Sequence, residues 1–173
     1  MLNLNFSPFP EIHTERLVLR QVKDTDAAEI LILRSDERIL EYIDSPRANS
    51  MDDALQFIQK VNKNIELNES VYWGIQPKGH PKLAGTICIW NLNHQDRKAE
   101  IGYVMHPDFQ GKGMMQEAAE QVIRFGFETM QLQTILADVH PLNQKSIALL
   151  IRNGFVFEST YENMAVYQLT KPM

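Results

Sequence analysis

The chain has 173 residues, of which 44% are hydrophobic and 23% are charged. This length supports one domain, which we take as residues 1–173 with a core from about 14 to 169, and the composition excludes disordered and collagen-like chains. The formal net charge of -5 disfavours binding to a phosphate backbone, so we expect no direct nucleic-acid binding. Because Cys88 is the one cysteine, internal disulfides and metal sites built on paired cysteines are excluded.

We also expect a cytoplasmic protein without a membrane span or a metal site. The longest aliphatic run, Ile147–Ile151, is far shorter than the roughly 18 residues that span a bilayer. The first residues lack the basic and apolar regions of a secretory signal. None of the five histidines has another histidine four positions away, so structural or surface roles are favoured over metal binding.

Taken in chain order, the hydrophobic periodicity predicts seven strands and four helices. The strands are Arg16–Arg20, Val71–Gln76, Leu83–Trp90, Lys98–Met105, Thr134–Val139, Phe155–Glu158 and Met164–Leu169. The four helices include one capped by Asp24 and one at whose start Ser50 and Asp53 have the spacing of a capping box. The other two are Gly113–Met130 and Asn143–Asn153. Turn-rich segments join the second, third and fourth strands, which predicts an antiparallel meander. The strands on either side of the Gly113–Met130 helix are expected to pair in parallel, so the sheet is mixed.

The segment Met105–Met115, between a strand and the longest helix, is the most informative part of the sequence. Gly111 and Gly113 allow backbone amides to turn toward one point, and the helix start adds unpaired N–H groups with partial positive charge. Such a turn is suited to phosphate groups. A simple tight turn between strand and helix is the alternative.

Two common phosphate motifs do not fit this segment. A P-loop requires glycine where His106 stands and Ser or Thr where Gly113 stands. A dinucleotide fingerprint requires Gly or Ala at the position of Gln116. Both motifs are therefore excluded.

A third motif does resemble it. Gln110–Met115 is similar to the acetyl-CoA signature Q/R-x-x-G-x-G/A of the GCN5-related N-acetyltransferases (GNAT). Two further segments, Thr14–Arg20 and His140–Ser146 with the later Gly154–Phe155, resemble the RimJ/RimL ribosomal-protein acetyltransferases of that family. The resemblance extends from about Thr14 to Leu169, and the three matches occur in the expected order.

The resemblance implies a largely antiparallel sheet of six to seven strands, flanked by about four helices and splayed open between its fourth and fifth strands, with acetyl-CoA in the split. It places the pantetheine at Tyr103, Val104 and Met105, the pyrophosphate at Gln110, Gly111, Lys112, Gly113, Met114 and Met115, and the thioester end near Asn143 and Ser146. Gly102 inside a strand indicates a β-bulge there. Met115 departs from the signature, so its side chain is expected to turn into the sheet and leave only its amide for the ligand.

Glu100 is the candidate general base, acting through water on the incoming amine. The alternative is a solvated strand residue or a partner of Lys98 or Arg97. Ser146 is the candidate proton donor to the coenzyme A thiolate, and the alternative is a serine that bonds its own helix backbone. Many relatives have a tyrosine where Leu150 stands, so Tyr103 is a substitute candidate.

The function predicted from the resemblance is direct acetyl transfer from acetyl-CoA to a primary amine, with the oxyanion held by a backbone N–H near Val104 or Met105. The resemblance favours an N-terminal α-amine of a protein. A polyamine, aminoglycoside or small metabolite remains open because acceptor contacts would come from the variable stretches Arg34–Asn49 and Asn91–Lys98. A non-catalytic acyl-CoA-binding module is the rival hypothesis, and homodimerisation through a sheet edge also stays open.

Overall fold

The computed structural model describes residues 1–173 and contains eight strands and five α-helices. The strands are β1 (Ile12–His13), β2 (Leu17–Arg20), β3 (Val71–Pro77), β4 (Gly85–Asn93), β5 (Lys98–Met105), β6 (Thr134–Val139), β7 (Val156–Tyr161) and β8 (Met164–Thr170). The helices are α1 (Ala27–Leu33), α2 (Glu37–Leu40), α3 (Met51–Glu66), α4 (Met114–Glu128) and α5 (Gln144–Arg152). None of them combines the length and apolarity that crossing a bilayer requires.

All eight strands form one sheet in the order β1-β2-β3-β4-β5-β6-β8-β7. Every neighbouring pair is antiparallel except β5 and β6, which are parallel on either side of α4. This confirms the predicted mixed, largely antiparallel sheet and its meander. The sheet has one strand more than predicted, because β1 is only two residues long and too short to show an alternating pattern.

The two faces of the sheet are covered by different helices. One cluster of 26 buried residues joins one face to α4 through residues such as Ala118 and Val122. A second cluster of 9 buried residues joins the other face to α1 and α3, with Ile30 and Ile58 fully buried. Burial of each isoleucine stabilises the fold by roughly 1.5–3 kcal/mol. These two layers pack on opposite faces of the middle strands.

β5 and β6 separate soon after they begin to pair. Their register covers only Lys98–Glu100 against Thr134–Leu136. On its other side, β5 stays paired with β4 up to Met105. The sheet is thus splayed between the fourth and fifth predicted strands, as expected, and the edge of β5 at residues 101–105 faces a gap instead of a strand. Below, this gap is called the split.

The prediction of a bulge at Gly102 was wrong. Pairing between β4 and β5 is continuous through Cys88 and Gly102, and the irregularity lies between Trp90 and Asn93, where Asn91 has a φ of 51°. A β-carbon at Gly102 would lie 3.3 Å from the Cys88 sulfur and 3.6 Å from the Trp90 indole nitrogen. Gly102 therefore provides space for the side chains of Cys88 and Trp90. The residue with the left-handed conformation in the observed irregularity is Asn91, not a glycine.

Candidate active site

The loop before α4 has the geometry of an anion site. Gly111 and Gly113 have φ values of 75° and 77°, and Gly113 caps α4 without any side-chain hydrogen bond to the helix amides. A β-carbon at Gly111 would meet nothing within 4 Å, so backbone conformation and not lack of space favours glycine there. The free amides at the helix start carry the positive end of the helix dipole toward this loop.

The other side chains of the loop point away from those amides. Gln110 Nε2 donates a 2.8 Å hydrogen bond to the Met105 carbonyl, which ties the loop to the end of β5. The Lys112 ammonium lies 5.8 Å from the centre of the Phe109 ring. Met114 and Met115 pack against the main core cluster. The expectation that Met115 turns inward is confirmed, so its side chain does not obstruct the loop.

Tyr103 and Ser146 meet across the split, one on β5 and the other in the first turn of α5. Their hydroxyl oxygens are 2.6 Å apart, so the Ser146 hydroxyl contacts a phenol and not its own helix backbone. Burial raises the pKa of Tyr103 to about 12, against the opposing effect of the bond to Ser146. Asn143 caps α5, its Oδ1 accepting from the Ser146 amide at 3.3 Å. The side-chain carbonyl of Asn143 is thereby engaged, and its amide nitrogen is the group left for a ligand.

Glu100 lies on the face of β5 opposite Tyr103, where the strand leaves β6. Its Oε1 accepts a 2.7 Å hydrogen bond from the Asn91 amide in the bulge of β4, and it forms no ion pair with Lys98 or Arg97. Burial raises the pKa of Glu100, and the charge of Asp138 raises it further, while the Asn91 bond acts in the opposite direction. Glu100 is therefore a half-buried carboxylate without a counter-ion.

Sequence reasoning missed Asp138, and it did not identify Asn91 as the partner of Glu100. Asp138 follows Leu136, the register partner of Glu100, by two residues, and burial raises its pKa too. A single carboxylate in the otherwise apolar end of β6 was the available signal. The sequence of β6 did not show that Asp138 lies near Glu100, because the register between β5 and β6 cannot be deduced from either strand alone.

The two stretches predicted to contact the acceptor both reach the split. The loop after α2 brings Tyr42 against His140 at the end of β6, with ring centres 5.1 Å apart. The stretch 91–98 supplies Asn91, the partner of Glu100. Trp90, which is opposite Glu100 in the register, is 48% exposed and offers an aromatic wall beside the carboxylate.

A family model described as "Acetyltransferase (GNAT) domain" matches residues 16–156. The chain belongs to the GNAT acetyltransferase family. It is 32% identical over 95% of its length to the uncharacterized N-acetyltransferase YoaA of Bacillus subtilis, covering 98% of that protein. It is 26% identical over 86% of its length to the [ribosomal protein uS5]-alanine N-acetyltransferase of Escherichia coli, covering 79% of that protein. A GNAT-family acetyltransferase structure from Bacillus anthracis superposes with a TM-score of 0.78 at 25% identity, covering 92% and 98% of the two chains.

GNAT enzymes use acetyl-CoA as acyl donor, so the predictions of an acetyl-CoA-dependent N-acetyltransferase and of its fold are confirmed. The residues here fit that donor. The loop at Gly111 and Gly113 offers free helix amides for a diphosphate. The edge of β5 without a strand partner offers backbone groups to an extended pantetheine chain. Which residues contact the donor stays a prediction.

Proposed function

We propose that the protein transfers acetyl from acetyl-CoA directly to the N-terminal α-amine of a protein. The observation that carries this proposal is the placement of a carboxylate on one face of β5 and of a hydrogen-bonded pair of hydroxyl groups on the other. Glu100, whose pKa is raised, is on one face, and the hydrogen-bonded pair of Tyr103 and Ser146 is on the other. The carboxylate can take a proton from the amine on one face of the sheet, and the hydroxyl pair can deliver another proton to the leaving thiolate on the other face.

Glu100 acts as the base through a water molecule in this proposal. A carboxylate that has lost solvent and has a negative neighbour binds a proton more strongly than an ordinary glutamate does. An α-amine, with a pKa of about 8, is far more often neutral near pH 7 than a lysine, with a pKa of about 10.4. A glutamate, even with a raised pKa, is therefore better matched to an α-amine than to a lysine.

Ser146 is proposed to supply the proton to the leaving group, backed by Tyr103. Because the pKa of Tyr103 is raised to about 12, the phenol stays protonated near neutrality. It can donate to the Ser146 oxygen while that hydroxyl donates onward. Acetyl-CoA supplies the acyl carbon and the thiolate that receives this proton. A backbone N–H near Val104 or Met105, on the edge of β5 that β6 leaves unpaired, is proposed to stabilise negative charge on the acyl oxygen.

The chain offers no good nucleophile for an acyl-enzyme route. Burial raises the pKa of Cys88 to about 12, with the backbone bond to Gly102 opposing this shift. The thiol is thus almost fully protonated near neutrality, whereas thiol nucleophiles react as thiolates. Direct transfer is the simpler mechanism.

A small cationic amine, such as a polyamine, is the second candidate acceptor. Glu100 and Asp138 lie on neighbouring strands at the split, and neither has a cationic partner within the protein. A polyamine could neutralise both carboxylates at once. The uS5-alanine acetyltransferase among the relatives favours the α-amine by its name.

The test compares peptides with a free and with a blocked N-terminus, and adds spermidine as a small cationic acceptor. Free thiol release from acetyl-CoA would be measured with a set of alanine- and serine-initiated peptides that contain one lysine, with the same peptides blocked at the N-terminus, and with spermidine. We expect turnover of the free peptides and none of the blocked ones. Equal turnover of blocked and free peptides, or turnover of spermidine alone, would contradict the α-amine proposal.

A further inference from the structure

Arg16, which precedes β2, reaches across the molecule to the loop at the start of α4. Its Nη1 donates a 2.8 Å hydrogen bond to the Lys112 carbonyl, and its Nε donates a 2.8 Å bond to Glu117 Oε1. A β-carbon on Gly113 would lie 3.3 Å from Arg16 Nη2. The guanidinium therefore lies against the glycine loop, although some 96 residues separate Arg16 from Lys112 in the sequence.

Glu117 holds the arginine in this orientation. It lies in the first turn of α4, and its Oε2 accepts from the Arg16 amide at 2.9 Å and from the Thr14 hydroxyl. Burial acts to raise the pKa of Glu117, but the bonds from Thr14 and Arg16 outweigh it and the pKa lies below its ordinary value. The carboxylate is 19% exposed and the arginine side chain 44%, so the pair is only partly screened by solvent.

The bond to Lys112 fixes the direction of the next amide. In a planar trans peptide, the carbonyl oxygen and the following N–H point in opposite directions. With the Lys112 carbonyl turned toward Arg16, the Gly113 N–H points away from the guanidinium. Glycines on both sides of Lys112 would otherwise let this peptide plane rotate easily.

We propose that Arg16 is a positioning residue for coenzyme A, fixing the Lys112–Gly113 peptide so that the Gly113 N–H is preset for a phosphate oxygen. Glu117 orients Arg16, and the two together join β2 to the start of α4. The benefit is preorganisation, because a loop already in its binding conformation loses less entropy when the ligand arrives. This inference concerns donor binding and is independent of the acceptor proposed above.

The test is calorimetric titration of coenzyme A into the wild type and four variants. Arg16→Ala is expected to weaken binding about tenfold. The matched control is Arg124→Ala, at the far end of α4, where the arginine forms only an exposed pair with Glu128. That variant should bind coenzyme A like the wild type. Wild-type affinity in Arg16→Ala would overturn the proposal.

Two further variants separate orientation from charge. Glu117→Gln keeps the positive charge of Arg16 but removes the ionic partner that orients it, and Arg16→Lys keeps the charge without the two-pronged geometry. Both should weaken coenzyme A binding severalfold, and the Gly113 amide resonance of the free protein should shift in both. If both bind like the wild type, the charge near the loop is sufficient and the positioning role is wrong. Glu117→Gln also serves if Arg16→Ala does not fold.

Discussion

Glu100 and Asp138 are two carboxylates that share one end of the split without a cation between them. The pKa of Glu100 is raised by burial first and by Asp138 second, so part of its basicity depends on a neighbour that belongs to a different strand. A like charge nearby disfavours ionisation of Glu100, whereas burial alone raises the pKa of Asp138. At the residue scale, the charge of Asp138 thus helps to raise the pKa of Glu100, the proposed base.

This coupling predicts how the pH profile responds to substitution. The base must be ionised to accept a proton, so kcat/KM falls at acid pH as Glu100 becomes protonated. An ordinary glutamate has a pKa of about 4.3. Because the pKa of Glu100 is raised, this fall should occur at higher pH than an ordinary glutamate would give. Asp138→Asn removes the repulsion and should move this fall to lower pH. Glu100→Gln should abolish the fall and lower kcat/KM about 10²-fold. These profiles would be measured by thiol release with the best acceptor. A fall at acid pH that persists in Glu100→Gln would be assigned to another group.

At the element scale, the junction between β2 and α1 depends on one buried ion pair. Arg20 donates two 2.8 Å hydrogen bonds to the carboxylate of Asp26, and the Lys23 amide donates a third. The side chains of Arg20 and Asp26 are only 14% and 9% exposed. Burial acts to raise the pKa of Asp26, but these bonds outweigh it and the pKa lies below its ordinary value. The pair fixes the turn that places α1 on the sheet.

Arg20→Leu is expected to lower the free energy of unfolding by about 3 kcal/mol near neutral pH, because Asp26 is left charged and buried without its partner. In the wild type, the Arg20–Asp26 pair contributes fully to the free energy of unfolding above the pKa of about 3.9 that Asp26 has in the unfolded chain. This contribution is lost as the pH falls through the lower pKa of Asp26 in the folded protein. Urea unfolding at several pH values would measure both effects. The exposed Arg124→Ala should change stability by less than about 0.5 kcal/mol. Equal losses in the two variants would contradict this account.

Strands and helix caps could be predicted from the sequence where a local pattern of residues is enough to define them. The strands Lys98–Met105 and Thr134–Val139 were predicted with the bounds that β5 and β6 have in the structure. Ser50 was predicted as a cap, and its side chain accepts from the Asp53 amide. The reciprocal bond from Asp53 goes instead to the Asn49 amide. Such details depend on a single rotamer, which periodicity does not specify.

At the scale of the whole molecule, the site is made by relations between distant segments. The contact of Tyr103 with Ser146 spans 43 residues and that of Arg16 with Glu117 spans 101. The resemblance to GNAT enzymes named the loop and the split, but it did not indicate which side chains would pair across them. Asp138 and Arg16 were missed for this reason: their partners are set by strand register and helix docking, not by neighbours in the sequence.

The split also divides the sheet into two parts, β1–β5 and β6–β8, which share only three residue pairs between β5 and β6. A donor that lies along the open edge of β5 should therefore protect backbone amides that no strand protects. Hydrogen exchange of residues 101–105 is expected to be fast at the amides facing the split and to slow when coenzyme A is added. Residues 85–89 of β4, paired on both sides, serve as the internal control. At a hundredfold excess over its Kd, the ligand should also stabilise the fold by about 2.7 kcal/mol. Stabilisation of this size with unchanged exchange at residues 101–105 would place the donor elsewhere on the protein.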